Sequence, residues 1–165
     1  MLEDVLEAGE VVDVELQGVV PGFTRWSTIG GLGGIIVALS VPRIFQLSFI
    51  VGLLAIVAVM ALVFLTIYYL AGRPLAQRCR PATSSPYIAV ILTNRRVLVL
   101  DRALGSDAPQ LAEAAAVEDV STVRHSTAGL LSPQRLEYVF RATERRHFEF
   151  PRSEPVAKFV ARFTG

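Results

Sequence analysis

The chain has two histidines, His125 and His147, one cysteine, Cys79, and serines 121, 126 and 132 in the same stretch as His125. Histidine beside serine is the raw material of a hydrolase. A serine nucleophile, however, needs a base, an orienting acid and a sharp turn that exposes its hydroxyl, and no G-x-S-x-G elbow is present. A metal site needs roughly three or four ligands. The histidines fall on separate predicted strands with no second cysteine to join them, so the sequence offers no metal site, no cofactor site and no catalytic set. Cys79 sits between Arg78 and Arg80. Positive neighbours lower a thiol pKa and juxtamembrane cysteines can be acylated, but the plainer expectation is an inert reduced thiol. The "GGLGG" at 30–34 is apolar on both sides and does not read as a phosphate loop.

The arginines carry more information. Arg95-Arg96 and Arg145-Arg146 fall at predicted hairpin tips, and Arg78 and Arg80 follow a long apolar run. Arg78, Arg80, Arg95 and Arg96 are the candidate lipid- or partner-binding residues. The alternative reading is turn solvation plus the positive-inside rule. Charge is zoned along the chain. Six acids and no base occupy the first fifteen residues, and residues 16–100 hold seven arginines and no acid. A cation-only zone around an apolar core suits an anionic membrane surface, at about 1 kcal/mol per basic residue near the headgroups. It is not a nucleic-acid footprint, because no basic aromatic-bearing face accompanies it. No small-molecule substrate is identified. Of the sixteen basic residues only Lys158 is lysine, a bias that points to a GC-rich bacterial genome.

Those residues need elements to hold them. Between Ile29 and Ala71 the only charged side chain is Arg43. As one helix this run would measure about 65 Å at ~1.5 Å per residue, twice the ~30 Å hydrocarbon thickness. The sequence therefore predicts a hairpin, residues 26–72, with spans at about 26–45 and 47–71 and a break at Pro42-Arg43. Four flanking arginines against one in the connection place both termini in the cytoplasm of a multi-pass inner-membrane protein. Gly30 and Gly34 form a GxxxG pair, read as packing within the hairpin, as packing between protomers, or as simple filling of a short span. Residues 73–86, rich in Pro, Ser and Arg, read as a juxtamembrane linker.

Strand patterns follow. Tyr87–Leu92 and Val97–Asp101 flank the Thr93-Asn94-Arg95-Arg96 turn and read as a hairpin with one face in water. Residues 118–125, 136–143 and 146–151 alternate, while 103–117 fits either helix or loop. Residues 153–163 read as an amphipathic helix with Ser153 as N-cap and Val156, Phe159, Val160 and Phe163 on one face. Before the hairpin, residues 10–18 alternate with Val12, Val14 and Leu16 on one face. With both termini on the same side, that strand is free to join the sheet formed by residues 87–165. Residues 1–25 are thus an acidic segment plus the first strand of a split domain.

The "AGEVV" opening, the paired spans, "YIAVILTNRRVLVLDR", "VEDVSTVRHSTAGLL" and the terminal helix together resemble the bacterial pleckstrin-homology-like domains of small membrane proteins. The resemblance covers about residues 8–20 and 87–163. It implies a mainly-β cytoplasmic domain, a curved antiparallel sheet or partial barrel capped by the C-terminal helix, attached to a membrane α-helical hairpin. It implies no enzymatic activity. The expected role is a protein-interaction or assembly module with a protein partner or a second copy of the chain. The alternative is anionic-headgroup recognition through the four arginines.

Overall fold

The structure is a computed structural model, and it describes residues 5–44, 48–103, 108–127, 132–141 and 143–164. Strand β1 (Val12–Val19) leads through Pro21-Gly22 into helix α1 (Phe23–Ile44). Gly22 has φ +83°, a conformation that lets the chain leave the strand and enter the helix without a Cβ clash. Helix α2 (Phe49–Ile67) returns, and a π turn (Tyr68–Gly72) joins it to a further helical turn and a half, α3 (Arg73–Arg78). Strands β2 (Tyr87–Thr93), β3 (Arg96–Asp101), β4 (Gln110–Ala116), β5 (Val120–Thr127), β6 (Gln134–Phe140) and β7 (Glu144–Phe150) follow, and helix α4 (Val156–Thr164) closes the chain.

The seven strands form one antiparallel sheet in the order β4-β3-β2-β1-β7-β6-β5. β1, separated from β2 by the helical hairpin, lies in its middle. The sheet is curled. In a flat sheet the four steps from β4 to β7 would put them about 19 Å apart at ~4.8 Å per strand. Yet Arg146 of β7 donates from Nε to Glu113 Oε2 of β4 at 2.9 Å. One concave core results, holding Leu16, Val90, Val99, Tyr138, Phe148 and Phe150, and the Val156–Phe159 face of α4 covers one end of it. A curved antiparallel sheet with a C-terminal helix is the architecture the resemblance implied.

Several local expectations are corrected. Most of the described part of 103–117 is neither helix nor loop: Gln110–Ala116 is strand β4, six of whose seven residues pair with β3. The high helix propensity of its alanines is overridden by that pairing. Residues 104–107 lie outside the described residues. Residues 73–86 are not all linker, because helix continues to Arg78. Pro74 would clash with the carbonyl four residues back in a regular α-helix. The π turn immediately before it, where the Arg73 N–H reaches the Tyr68 carbonyl, adjusts the register at that point. Pro42 does not end the first helix but lies inside its last turn, while residues 45–47 and the Arg43 side chain lie outside the described residues. Val12 does not share a face with Val14 and Leu16. A bulge at Asp13 turns it to the outer side of the sheet, against Ala89, Ile91, Leu98 and Leu100. With Val5 and Leu6 it covers that outer cluster, so β2 and β3 are buried on both faces rather than half-exposed to water. Helix α4 begins at Val156, three residues after Ser153. Glu154 instead accepts a hydrogen bond from the Gln17 N–H at 3.0 Å, which ties the approach to α4 onto β1.

The two long helices pack antiparallel. Added Cβ atoms at Gly30 and Gly34 would lie 2.1 Å from Ile67 Cδ1 and 3.0 Å from Val63 Cγ1, whereas at Gly31 and Gly33 they would meet nothing within 4 Å. With the buried Ala38, Gly30 and Gly34 form the small-residue stripe that lets the backbones approach. The GxxxG pair therefore serves packing within the hairpin.

Candidate functional site

The place where helices and sheet meet is built from aromatic side chains. The end of β1 and the start of β2 lie side by side: Val19 pairs with Tyr87, and the Val20 N–H donates to the Pro86 carbonyl at 2.9 Å. Tyr87 meets Phe23 of α1 edge-on at 5.6 Å and stacks near Tyr68 of the π turn at 6.4 Å. Gly72 lets this knot close, since a Cβ there would come within 2.8 Å of Phe23 and 2.9 Å of Pro86. Burial raises the Tyr87 hydroxyl pKa above its ordinary value, keeping it neutral.

Two grooves open beside this root. One, of about 380 Å³, lies between the helices against Trp26, Leu70, Pro74 and Arg78. The other, on the opposite side of the start of α1, has two arms that share Thr24, Ser132, Pro133 and Glu149. Its apolar arm, about 500 Å³, is walled by Val19, Phe23, Tyr87 and Phe150, and its polar arm, about 290 Å³, by Arg25, Thr28 and Arg135. Glu149 stands where the arms join. It is 4% exposed, it lies opposite Arg135 in the β6–β7 ladder, and its Oε1 is 3.8 Å from Arg135 Nη2. Its Oε2 has no hydrogen-bond donor among the described residues.

The four arginines singled out from sequence are not brought together. Arg78 ends α3 at the helix–sheet root, and Arg80 follows it, exposed. Arg80 lies close enough to Glu144, at the β6–β7 turn, to help lower that carboxyl's pKa, after the larger effect of Arg146. Arg95 and Arg96 sit at the far end of β2, about 20 Å from Tyr87 at ~3.3 Å per residue. There the Thr-Asn-Arg-Arg turn grips the N-terminal segment. Arg96 donates to both oxygens of Glu10, from Nε at 2.7 Å and Nη2 at 2.6 Å, and its Nη1 is 2.8 Å from Glu7 Oε1. Thr93 Oγ1 accepts from the Arg96 N–H at 2.8 Å, and Asn94 Oδ1 accepts from the Val11 N–H at 3.1 Å. The Arg96 hydrogen bonds hold the Glu10 pKa down to about 2, against the opposing effect of burial. Arg96 is therefore engaged by carboxylates of its own chain, whereas Arg95 is exposed.

Arg146 does not point outward from its hairpin tip. It is 5% exposed and ion-paired to Glu113 and Glu144. This pair was legible in part, because Arg146 shares strand parity with the inward Phe148 and Phe150. Glu113 carried no such signal, since its strand was not evident. Nor did Glu149 carry one, since only the tertiary structure places α1 beside it. Cys79 is half-buried, and burial raises its thiol pKa, so the flanking arginines do not dominate. His125 shares a hydrogen bond of 2.9 Å with Gln134 on the neighbouring strand. Among the described residues no group of three His, Cys, Asp or Glu side chains is placed to hold a metal ion.

No protein-family model and no curated protein matches the chain. Among solved structures it is similar to a pleckstrin homology domain from Shewanella amazonensis SB2B, at 18% identity and a TM-score of 0.38, over 47% of this chain and 76% of that one.

Proposed function

We propose that this chain is a non-enzymatic integral membrane protein whose α1–α2 hairpin crosses the bilayer twice, with both termini in the cytoplasm and a pleckstrin-homology-like sheet that serves as an interaction or assembly module. One observation carries the membrane half. The outward faces of the helices are apolar and exposed (Phe49 is 86% exposed and Leu70 75%), while the chain on either side of them folds into a closed core. By length and composition Phe49–Arg78 is able to cross a membrane. α1 packs along it through its glycine stripe and is expected to cross with it. The interaction half is supported by the sheet's ends. Among the described residues β4 pairs only with β3 and β5 only with β6, and β5 presents a mostly exposed polar run from Ser121 to Thr127. An unpaired strand edge is a template for strand addition by a partner.

Reporter fusions test the topology. A reporter after Gly165 is expected to be active only as a cytoplasmic one, and the protein should resist alkaline carbonate extraction. Replacing Arg73, Arg78 and Arg80 together should weaken orientation more than replacing Arg43. Periplasmic activity of the C-terminal fusion, or release by carbonate, would overturn the reading. Sedimentation of the detergent-solubilised chain reads out self-assembly.

A further inference from the structure

The two-armed groove beside α1 has a chemistry that the proposed function does not use. A carboxylate that is almost wholly buried normally accepts several hydrogen bonds, because an unmatched charge in a low-dielectric site is costly. Glu149 lines both arms of the groove; one of its oxygens is 3.8 Å from Arg135, and the second, itself buried, has no hydrogen-bond donor among the described residues. The polar arm adds Arg25 and Arg135, two permanent cations. Such a site asks for a ligand with both a strong N–H donor and an anion, held close together. The other arm is mostly apolar, with Arg152 also among its lining residues, and it reaches Phe23 and Tyr87 at the root of the helices, where the hydrocarbon surface of a bilayer would begin.

We propose that this groove binds a phosphoethanolamine group, as carried by phosphatidylethanolamine. The primary ammonium donates to Glu149 Oε2, the phosphodiester lies against Arg25 and Arg135, and the glyceride end of the lipid enters the apolar arm along Phe23. The assignment rests on the membrane reading above for the source of the ligand, and on the groove alone for its chemistry. It excludes headgroups that present an anion without a donor cation. It also disfavours choline, whose quaternary nitrogen has no N–H to give to Glu149 and whose methyl groups enlarge the cation.

The test uses the full chain in mild detergent, mixed with phosphatidylethanolamine, phosphatidylcholine and phosphatidylglycerol of identical acyl chains, with lipid adducts counted by native mass spectrometry. Phosphatidylethanolamine is expected to be retained about tenfold over phosphatidylcholine, the scale of one charge-assisted hydrogen bond. Glu149→Gln should bring that ratio close to one. Phosphatidylglycerol is expected to be retained least, and Arg25→Ala combined with Arg135→Ala should reduce retention of phosphatidylethanolamine and phosphatidylcholine together. Equal retention of ethanolamine and choline lipids by the unaltered chain overturns the proposal, and that comparison needs no variant to fold. An undiminished preference in a Glu149→Gln chain with an unchanged melting temperature overturns it as well. Soluble O-phosphoethanolamine is expected to compete only weakly, and binding as tight as that of the lipid would overturn the lipid source. If carbonate releases the chain from membranes while the preference persists in detergent, the membrane reading fails and the headgroup chemistry stands.

Discussion

Two arginines of this protein, Arg96 and Arg146, are each held by two carboxylates of the same chain. Glu10 is the clearest case. Its pKa is lowered to about 2 from an ordinary 4.5 by the Arg96 hydrogen bonds. A carboxyl whose folded-state pKa is depressed contributes stability that is fully present above its unfolded value and is lost as pH falls through the folded one. Unfolding followed by fluorescence in detergent should therefore show stability falling between about pH 4.5 and 2. Glu10→Gln should flatten that limb and lower stability near neutrality by about 1–2 kcal/mol. Arg146 and Glu113 make a stronger case because both are largely buried. Arg146→Ala leaves the Glu113 carboxylate uncompensated and should cost about 3–5 kcal/mol, whereas Arg146→Met with Glu113→Leu should recover most of the loss. A melting series over the two single variants and the double variant checks it. If the double variant is no more stable than the singles, the penalty does not come from an unpaired charge.

At the scale of elements, the contact between α1 and α2 depends on which glycine faces which helix. Gly30→Leu with Gly34→Leu drives side chains into Ile67 and Val63, and should destabilise the helix pair by about 1–3 kcal/mol per site. Gly31→Leu with Gly33→Leu should be tolerated, because those positions meet nothing within 4 Å. Protease resistance of the detergent-solubilised protein distinguishes the two pairs of variants. Equal damage from both would mean that the close approach of Gly30 and Gly34 to Ile67 and Val63 does not explain the glycines, since backbone entropy alone would make Gly→Leu stabilising in a helix. The same logic accounts for β4. Its composition favours helix, but six of its residues pair with β3 and its Glu113 closes the curl of the sheet onto Arg146, so tertiary pairing decides its state.

For the whole molecule, the position of β1 makes the sheet interdependent with a segment that lies before the α1–α2 hairpin. Removing β1 would not merely trim an edge. It would separate β4-β3-β2 from β7-β6-β5 and withdraw Val14 and Leu16 from the core, each worth roughly 1.5–3 kcal/mol, out of a total of only ~5–15 kcal/mol for a small domain. A chain of residues 82–165 should therefore be insoluble or lack a cooperative transition. Joining residues 8–20 to 84–165 through a short Gly/Ser linker should restore one, since Val20 and Pro86 are already hydrogen-bonded neighbours and closing a short loop costs little. Circular dichroism melting and amide exchange at residues 14–19 provide the readout. A cooperative melt of 82–165 alone, unchanged by adding β1, would remove β1 from the folding unit.

Sequence by itself determined the elements whose residues repeat with a physical period or exceed a physical length. The apolar run between Ile29 and Ala71 is long enough for two helices, and it folds as α1 and α2. The alternations in β1, β5, β6 and β7 have strand period, β2 and β3 are short apolar runs on either side of a polar turn, and Val156, Phe159, Val160 and Phe163 have helix period. Tertiary structure alone decided what depends on a distant partner. It turned Arg96 from a candidate headgroup ligand into a clasp for Glu10, and drew Arg146 inward to Glu113. It made a strand of alanines with no period of their own, and rotated Val12 to the outer face through a bulge at Asp13. It also enclosed Glu149 between β7 and the first turns of α1. Local pattern records which side of an element avoids water; which charge meets which charge is set only when segments more than eighty residues apart, such as Glu10 and Arg96, are folded against each other.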